Sequence, residues 1–448
     1  MIRLKSFFKH TQSPIWSGVR ALSSRFLDLP SRYGFHLLVA AALGVVDSGR
    51  FYIVFSLVFM ISGLGRLGLD RALTREVAIV VAQKKQGDVF YALQKTFFTV
   101  LILSAFVISV FCISSGFISE KLFNKPYLRQ YIILSSIIII PQNISTVFAG
   151  FLAGRHRISS SQMLYSWLWP SVFCILCFPF VFLSNFYLNL AILLIFISFI
   201  VVDVVGYMLI DESIKPYKKF HSQYFVSMDF LKSGLSFFTL ELTQLCISSG
   251  PTLFLGIAST VQNTGLFSLA WRLALVINLI INGVSSLVAP KFASLYAENK
   301  ISEINGYSLY ATVLSIGISF PIMIFLVIFP KNLLSIFGSG YSTAAHTLCI
   351  LAVGQFLASC FTAMPELLAM AGYFSILRRI NFISVLVLVV ALLILVSNLG
   401  SDGAAYAVSL SLITNGALSG WFAHKKLKIC GIIQIYQLVQ NIIKNKNF

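Results

Sequence analysis

Charged side chains are scarce in this sequence. Asp, Glu, Lys and Arg make up 11% of its 448 residues, whereas 58% are hydrophobic. A soluble globular domain carries about 25% charged residues, so the composition excludes that class. Alternating apolar and polar residues, which mark the strands of a membrane β-barrel, are also lacking, since runs such as 385–396 are continuously apolar. The sequence therefore predicts an all-α polytopic membrane protein.

Catalytic motifs are absent as well. The chain has no P-loop, no H-E-x-x-H and no G-x-S-x-G, and its longest predicted outer loop, around 116–129, is too short to form an active site. Cys174 and Cys177 form a C-x-x-C, but on an apolar segment without other ligands, so we expect packing rather than a metal or redox centre. No cleaved signal peptide is evident. These absences argue against an enzyme and predict no cofactor, although coupling to a proton or sodium gradient stays open.

Apolar windows of about 20 residues, each long enough to cross a bilayer, recur about twelve times. They cover residues 13–43, 51–71, 93–115, 130–153, 162–183, 187–210, 231–257, 266–289, 308–329, 345–371, 380–399 and 403–423.

The orientation of these spans follows from the lysines and arginines. With a cytoplasmic N-terminus, the inner segments carry about four times as many of them as the outer loops. The outer ones are Arg50, Lys121, Lys125, Arg129 and Lys331. The pattern predicts that both termini are cytoplasmic. Anionic lipid headgroups at the inner leaflet then explain the net charge of +18 without a nucleic acid partner.

A charged segment at 211–229 divides the twelve spans into two sets of six. We expect an N-lobe at 1–210, a cytoplasmic linker at 211–229, a C-lobe at 230–424 and a cytoplasmic amphipathic tail at 425–448. Weak matches between the halves recur at one offset, which predicts parallel repeats that enclose a central cavity.

Polar residues form one face of the first span. Ser13, Ser17, Arg20, Ser24, Asp28 and Ser31 recur at steps of three and four residues, which places them on one side of a helix. Pro30 is expected to kink that helix. In span 7, Lys232, Ser236, Thr239 and Thr243 share a face in the same way. We expect both faces to line the cavity.

Arginines inside the spans are the candidate substrate-binding residues, because a cation at membrane depth is costly without a cavity or partner. Arg25 lies roughly 18 Å from the inner end of its span, too deep to reach the surface easily. Arg20 and Arg272 are further candidates, together with Lys232. Arg66 lies near the inner end of span 2, so its side chain has two interpretations: substrate binding, or extension to the inner surface.

Two acidic residues complete the candidate site. Asp28 lies three residues from Arg25 and four from Arg32, so either arginine is within its reach. It is interpreted as a counter-ion for the arginines or as a coupling site for protons or sodium. Glu241 lies off the polar face of span 7, which favours a hydrogen bond between helices over ion coupling.

Several segments resemble a known family. These are 43–51 (LGVVDSGRF), 67–76 (LGLDRALTRE), 264–272 (TGLFSLAWR) and 289–296 (APKFASLY). They are similar to Wzx-like O-antigen flippases, polysaccharide-export proteins of the multidrug/oligosaccharidyl-lipid/polysaccharide superfamily. The resemblance implies two six-helix bundles in the bacterial cytoplasmic (inner) membrane that alternate between inward- and outward-open states.

The resemblance also implies a substrate: an oligosaccharide repeat unit on undecaprenyl diphosphate, moved from the inner to the outer leaflet. The cavity arginines and Lys232 would neutralise the diphosphate. Partners would be the lipid-linked glycan, membrane lipids, a polysaccharide polymerase and a chain-length regulator. Two alternatives remain: a multidrug antiporter of the same superfamily, which would need acidic cavity residues, and a membrane-embedded polymerase, which would need a large outer loop.

Overall fold

The computed structural model describes residues 14–83, 86–182, 186–210, 228–298 and 300–429, with the backbone alone for 14–26 and a few other helical positions. Within these ranges every regular element is a helix and no strand occurs. The predicted linker at 211–229 falls almost wholly, and the predicted amphipathic tail largely, outside the described residues. The all-α prediction is confirmed for the part of the chain that is described.

Fifteen α-helices follow one another within the described ranges. They are α1 (Pro14–Arg66), α2 (Leu69–Ala82), α3 (Gln86–Gly116), α4 (Leu128–Ser136), α5 (Ile139–Gly154), α6 (Ile158–Gln162), α7 (Leu168–Phe182), α8 (Leu188–Met208), α9 (Met228–Ala258), α10 (Val261–Ala297), α11 (Ile301–Ile328), α12 (Pro330–Ser335), α13 (Ala345–Ser359), α14 (Ala363–Met370) and α15 (Phe374–Leu427). Short π-helical turns at Phe117–Leu122 and Met163–Trp167, and a 3₁₀ turn at Ser339–Ala344, connect some of them.

Two of these helices are long enough to hold two membrane spans each. Helix α1 has 53 residues and α15 has 54, about 80 Å if straight, whereas the hydrocarbon layer is about 30 Å thick. Each is interrupted by a glycine with positive φ, Gly44 (φ 69°) and Gly400 (φ 53°), a conformation that glycine adopts without the steric cost of a side chain. These breaks fall between the predicted spans.

Nine helical segments in the described ranges are long and apolar enough to cross a membrane. Because α1 and α15 each supply two spans, and α9 adds a helix of 31 residues, the architecture is consistent with the twelve predicted spans. Pro30 lies within helical backbone, and α1 leaves helical dihedral angles at Gly44. The predicted kink at Pro30 stays a prediction.

The chain divides into two compact units. The first contains residues up to Leu43 and Val54–Leu245, and the second contains Gly44–Ile53 and the residues from Cys246 onward. The first part of α9 therefore belongs to the first unit, and a ten-residue segment around the Gly44 break belongs to the second. The division into lobes at 210 and 230 stays a prediction.

Each unit has its own hydrophobic core. In the first unit, α2, α3, α5 and α8 pack through buried aliphatic and aromatic side chains such as Leu73, Val77 and Phe151. The Thr74 hydroxyl also donates to the Gly150 carbonyl oxygen at 2.9 Å, which ties α2 to α5. In the second unit, Phe292 and Leu367 belong to a core cluster formed by α10, α11, α14 and α15.

Candidate functional site

The last turn of α1 carries a buried arginine that is paired with a carboxylate on another helix. Arg66 is 6% exposed and Glu241, on α9, is 9% exposed. An Nη of Arg66 donates to Glu241 Oε1, and the two side chains form an ion pair within the first unit. Burial removes both charges from water, so each needs the other as counter-ion. The interpretation that Arg66 extends to the inner surface is therefore wrong, because its guanidinium lies between helices.

Two neutral side chains extend this pair into a chain of hydrogen bonds. The second Nη of Arg66 donates to Asn143 Oδ1 on α5 at 3.4 Å. The amide nitrogen of Asn143 then donates to Ser104 Oγ on α3 at 2.8 Å. Asn143 and Ser104 are themselves fully buried. Four helices thus contribute one polar side chain each to a connected network in an apolar bundle.

A glycine sets the approach of α1 to α9 next to the ion pair. Gly68 has a φ of 69° and lies between the end of α1 at Arg66 and the start of α2 at Leu69. A Cβ placed there would lie 2.4 Å from the Gly234 carbonyl oxygen and 2.7 Å from the Phe238 nitrogen, both on α9. Only glycine fits this contact without a shift of backbone. The close approach lets Glu241, less than one turn beyond Phe238, reach Arg66.

A further carboxyl group belongs to the same cluster. Asp70 on α2 is buried and interacts electrostatically with Arg66. The buried atoms Arg66 Nε, Glu241 Oε2, Asp70 Oδ1 and Gln142 Oε1 have no hydrogen-bond partner within the described ranges. The cluster thus holds two buried carboxyl groups for one buried guanidinium. Within the described ranges, Arg66 Nε can still donate a hydrogen bond, and Glu241 Oε2 and Asp70 Oδ1 can still accept one.

On the first part of α1, Asp28 accepts a hydrogen bond from Arg32 Nε at 2.7 Å, one turn away on the same helix. The Arg32 side chain is 48% exposed and that of Asp28 is 16% exposed. Nearby, the Ser31 and Ser171 hydroxyl oxygens lie 2.7 Å apart, which joins the polar face of α1 to α7. The side chains of Arg20 and Arg25 lie outside the described part, so their predicted roles stay predictions.

Lys232 lies on α9, nine residues before Glu241. It is exposed, and so are Ser236 and Thr239 on the same face. The Ser236 hydroxyl donates to the Lys232 carbonyl oxygen. Glu241 points away from this face, towards Arg66. The structure therefore brings Arg66 and Glu241 together and leaves Lys232 on a separate, open face of the same helix.

Arg272 lies on α10 in the second unit. Its side chain is half-buried, its Nε is buried, and its charge acts on the fully buried Tyr52. In the same unit, the Tyr341 hydroxyl donates to the Gly44 carbonyl oxygen at 3.1 Å and lies 2.5 Å from Ser48 Oγ. This contact attaches the 3₁₀ turn to the break in α1. Arg272 thus interacts with a buried tyrosine in the segment that follows this break.

The sequence interpretation missed three members of the Arg66 cluster. Asn143 lies inside an apolar span and matches a glycosylation pattern only by chance, yet a buried amide in such a span is itself a signal of a polar network. Asp70 lies in a segment that stands out only by its family resemblance. Ser104 has no distinguishing pattern, because serines are common in these helices.

Comparison with solved structures shows that the fold is similar to those of a MATE family transporter and of MurJ. An inward-facing multidrug resistance MATE family transporter of the MOP superfamily superposes with a TM-score of 0.73 at 15% identity, covering 92% of this chain and 98% of that one. The lipid II flippase MurJ in its inward closed conformation gives 0.69 at 14% identity, covering 97% and 93%. A MOP superfamily transporter from Pyrococcus furiosus gives 0.63 at 16% identity, covering 92% and 95%. At these identities the likeness shows the fold alone.

The sequence comparison gives the family. Residues 26–296 match the polysaccharide biosynthesis protein family. The match covers more than half of this chain, so the chain belongs to that family. Residues 242–395 also match the MatE family.

A similar curated protein is the probable low-salt glycan biosynthesis flippase Agl15 of Haloferax volcanii, 26% identical over 165 residues. The match spans about a third of the length of that relative: 35% of it, and 37% of this chain.

Proposed function

We propose that the protein is a flippase that moves a lipid-linked oligosaccharide across the membrane. Membership of the polysaccharide biosynthesis family over residues 26–296 carries this proposal. The substrate we propose is an O-antigen or similar polysaccharide repeat unit on undecaprenyl diphosphate, passed from the inner to the outer leaflet of the bacterial cytoplasmic membrane. Both termini would be cytoplasmic, and a polymerase and a chain-length regulator would act on the product.

The chemistry of the arginines supports a diphosphate as the charged part of this substrate. A guanidinium pairs with phosphate oxygens through two parallel hydrogen bonds. Arg66 is held by Glu241 and keeps a buried Nε. In our proposal the diphosphate competes with Glu241 for this guanidinium, while the excess carboxyl group takes up a proton. Arg272, Arg20, Arg25 and Lys232 are the further proposed contacts, and Asp28 is the proposed counter-ion of the first span.

A deletion strain tests the proposed activity. Loss of a flippase traps lipid-linked repeat units on the inner leaflet, where a membrane-impermeant enzyme or lectin cannot reach them in intact spheroplasts. We expect the full chain to restore surface polysaccharide and Arg272→Ala to reduce it at least tenfold. Single repeat units capped on the outer surface of the deletion strain would instead indicate a polymerase and contradict the proposal.

A paired substitution separates the role of Arg66 in transport from its role in folding. Replacing both Arg66 and Glu241 with apolar residues, Arg66→Met with Glu241→Leu, removes both buried charges and is expected to keep the fold, because such replacements are often neutral. We expect this variant to reach the membrane in normal amount and to export no polysaccharide. Normal export by the variant would remove Arg66 from the proposed binding site.

A second candidate function is multidrug export. The MatE match over residues 242–395 and the superposition on a multidrug resistance transporter favour it. A binding site for organic cations would need an accessible acid, and Asp70 and Glu241 are the buried acids of the described cluster. Efflux of a cationic dye that is lost on Glu241→Gln, together with normal surface polysaccharide in the deletion strain, would establish this function in place of the first.

A further inference from the structure

Two adjacent arginines lie near the start of α15. Three arginines of α1, namely Arg32, Arg50 and Arg66, each pair with a carboxylate. Arg378 and Arg379 are exposed, and neither guanidinium has an ion-pair or hydrogen-bond partner in the described part of the chain. Helix α15 has no acidic residue before Asp402. The pair thus forms a local positive charge of two that no described carboxylate neutralises.

The opposite face of α15 fixes the direction in which this pair points. Ile380, Ser384 and Leu388 are fully buried. The Ser411 hydroxyl donates to the Ser384 carbonyl oxygen at 2.7 Å, and the Asn415 amide donates to Asn381 Oδ1 at 2.9 Å. The second part of α15 therefore holds the first through both packing and hydrogen bonds. The remaining face is left open along the length of the span.

That open face changes from basic to apolar along the helix. A shallow, open hollow on the surface is lined by Ser375, Arg378, Arg379, Phe382 and Ile383. The face continues through exposed Leu386, Val390 and Leu393. At 100° per residue, positions 375, 379, 382, 386, 390 and 393 fall within roughly 80° of arc. From Arg379 to Val390 the helix rises about 16 Å, close to half of the roughly 30 Å hydrocarbon layer.

We propose that this face is a binding site for an anionic phospholipid, with the phosphate at Arg378, Arg379 and Ser375 and one acyl chain along Phe382, Leu386 and Val390. Charge complementarity selects the phosphate, since two guanidinium groups offer paired donors to its oxygens. The apolar continuation selects a lipid over a free phosphate, because the exposed side chains match the length of one leaflet. The lipid bound at this face is a phospholipid of the surrounding membrane and is distinct from the transported substrate.

Native mass spectrometry of the full-length protein in detergent tests the site by titration with dioleoyl phosphatidylglycerol. We expect the double variant Arg378→Gln with Arg379→Gln to bind this lipid at least about tenfold more weakly than the parent chain. The matched control is Lys425→Gln with Lys426→Gln, which removes two charges from exposed positions on the same helix. It is expected to change the affinity by less than about twofold. Equal losses in the two double variants would overturn the proposal in favour of general attraction to positive charge.

Two further measurements test the lipid part of the assignment. Phe382→Ser is expected to weaken binding of the dioleoyl lipid and to leave the short-chain dihexanoyl form unchanged. Competition with glycerol phosphate or inorganic phosphate at millimolar concentration is expected to displace little of the lipid. Full displacement by either small anion, or equal loss of both lipids in Phe382→Ser, would overturn the assignment of an acyl chain to this face. Monodisperse elution during size-exclusion chromatography establishes that each variant is folded.

Discussion

Helix α1 takes part in three arginine–carboxylate pairs in the described residues, and two of them differ most in what they join. Arg32 and Asp28 lie one turn apart on the same helix and stay partly exposed. Arg66 and Glu241 lie 175 residues apart, on different helices, and both are buried. The first pair follows from helical spacing alone. The second forms only when α1 and α9 have packed, so it reports on the assembled first unit.

This difference has an energetic consequence. Pairs one turn apart on a helix contribute about 0.3–0.5 kcal/mol in water, since their members keep much of their hydration when separated. A buried pair contributes little net stability when formed, but removal of one member leaves an uncompensated charge and costs about 3–5 kcal/mol. The two pairs therefore predict very different responses to the same chemical change, the loss of one carboxylate.

The largest effect is expected from Glu241→Ala. This change leaves Arg66 buried without its counter-ion, so we expect the free energy of unfolding to fall by about 3–5 kcal/mol. Titration of the purified protein from mild detergent into dodecyl sulfate, followed by circular dichroism, measures it. Glu303→Ala is the control, because this exposed acid lies 3.8 Å from an exposed lysine and should change stability little.

The double variant Arg66→Met with Glu241→Leu completes this test. It should regain most of the stability that Glu241→Ala loses, because no buried charge is left. A double variant as unstable as the single one would show that packing at Glu241, rather than its charge, determines the loss. The charge of the buried pair would then contribute no more to stability than that of the exposed pair.

The next largest effect is expected from Gly68→Ala, which acts on the approach that makes the buried pair possible. The added Cβ would lie 2.4 Å from the Gly234 carbonyl oxygen at a residue with positive φ. Overpacking and the left-handed conformation together predict a loss of about 2–4 kcal/mol. The same unfolding titration measures it. Gly250→Ala is the matched control, since a Cβ added to this helical residue would have no neighbouring atom within 4 Å, and it should keep or slightly raise stability.

Asn143→Ala should have a smaller effect on the same cluster. It removes the acceptor of one Arg66 hydrogen bond and the donor to Ser104, and it leaves Arg66 paired with Glu241. Buried groups left without a partner cost about 1–3 kcal/mol. Ser109→Ala serves as control, because its exposed hydroxyl bonds only to a carbonyl of its own helix. A loss equal to that of Glu241→Ala would mean that the amide, and not the carboxylate, holds the guanidinium in place.

The spans were predictable from the sequence because each depends on a local property. Apolar runs of about 20 residues identify helices that cross a bilayer, and the gaps between windows contain the breaks at Gly44 and Gly400. The residue that breaks α1 was not predictable from proline alone. A proline within a membrane helix is tolerated when neighbouring groups satisfy the freed carbonyl, and Pro30 lies in such a continuous stretch.

The partner of Arg66 was not predictable, because no periodicity connects residues on separate helices. Glu241 was expected to make a hydrogen bond between helices, and the sequence offered no means to choose the second helix. Gly68 gives a partial signal, since a glycine two residues after an arginine at a span end is consistent with close backbone approach. Without the tertiary arrangement, position near the inner end of a span favoured extension of Arg66 to the surface.

The smallest effect is expected from Asp28→Ala, which breaks the exposed pair of α1. If Arg32 is its only partner, the loss should stay below about 1 kcal/mol, because Arg32 is half-exposed and keeps access to its surroundings. Arg32→Ala should give a similar small value in the same dodecyl sulfate titration. A loss for Asp28→Ala above about 2 kcal/mol, with Arg32→Ala still small, would require a second cation at Asp28. Arg25 lies one turn earlier on the same face, so the double variant Arg25→Ala with Asp28→Ala would then recover stability. The Asp28 pair and the Arg66 pair would in that case differ only in how much stability is lost with the carboxylate.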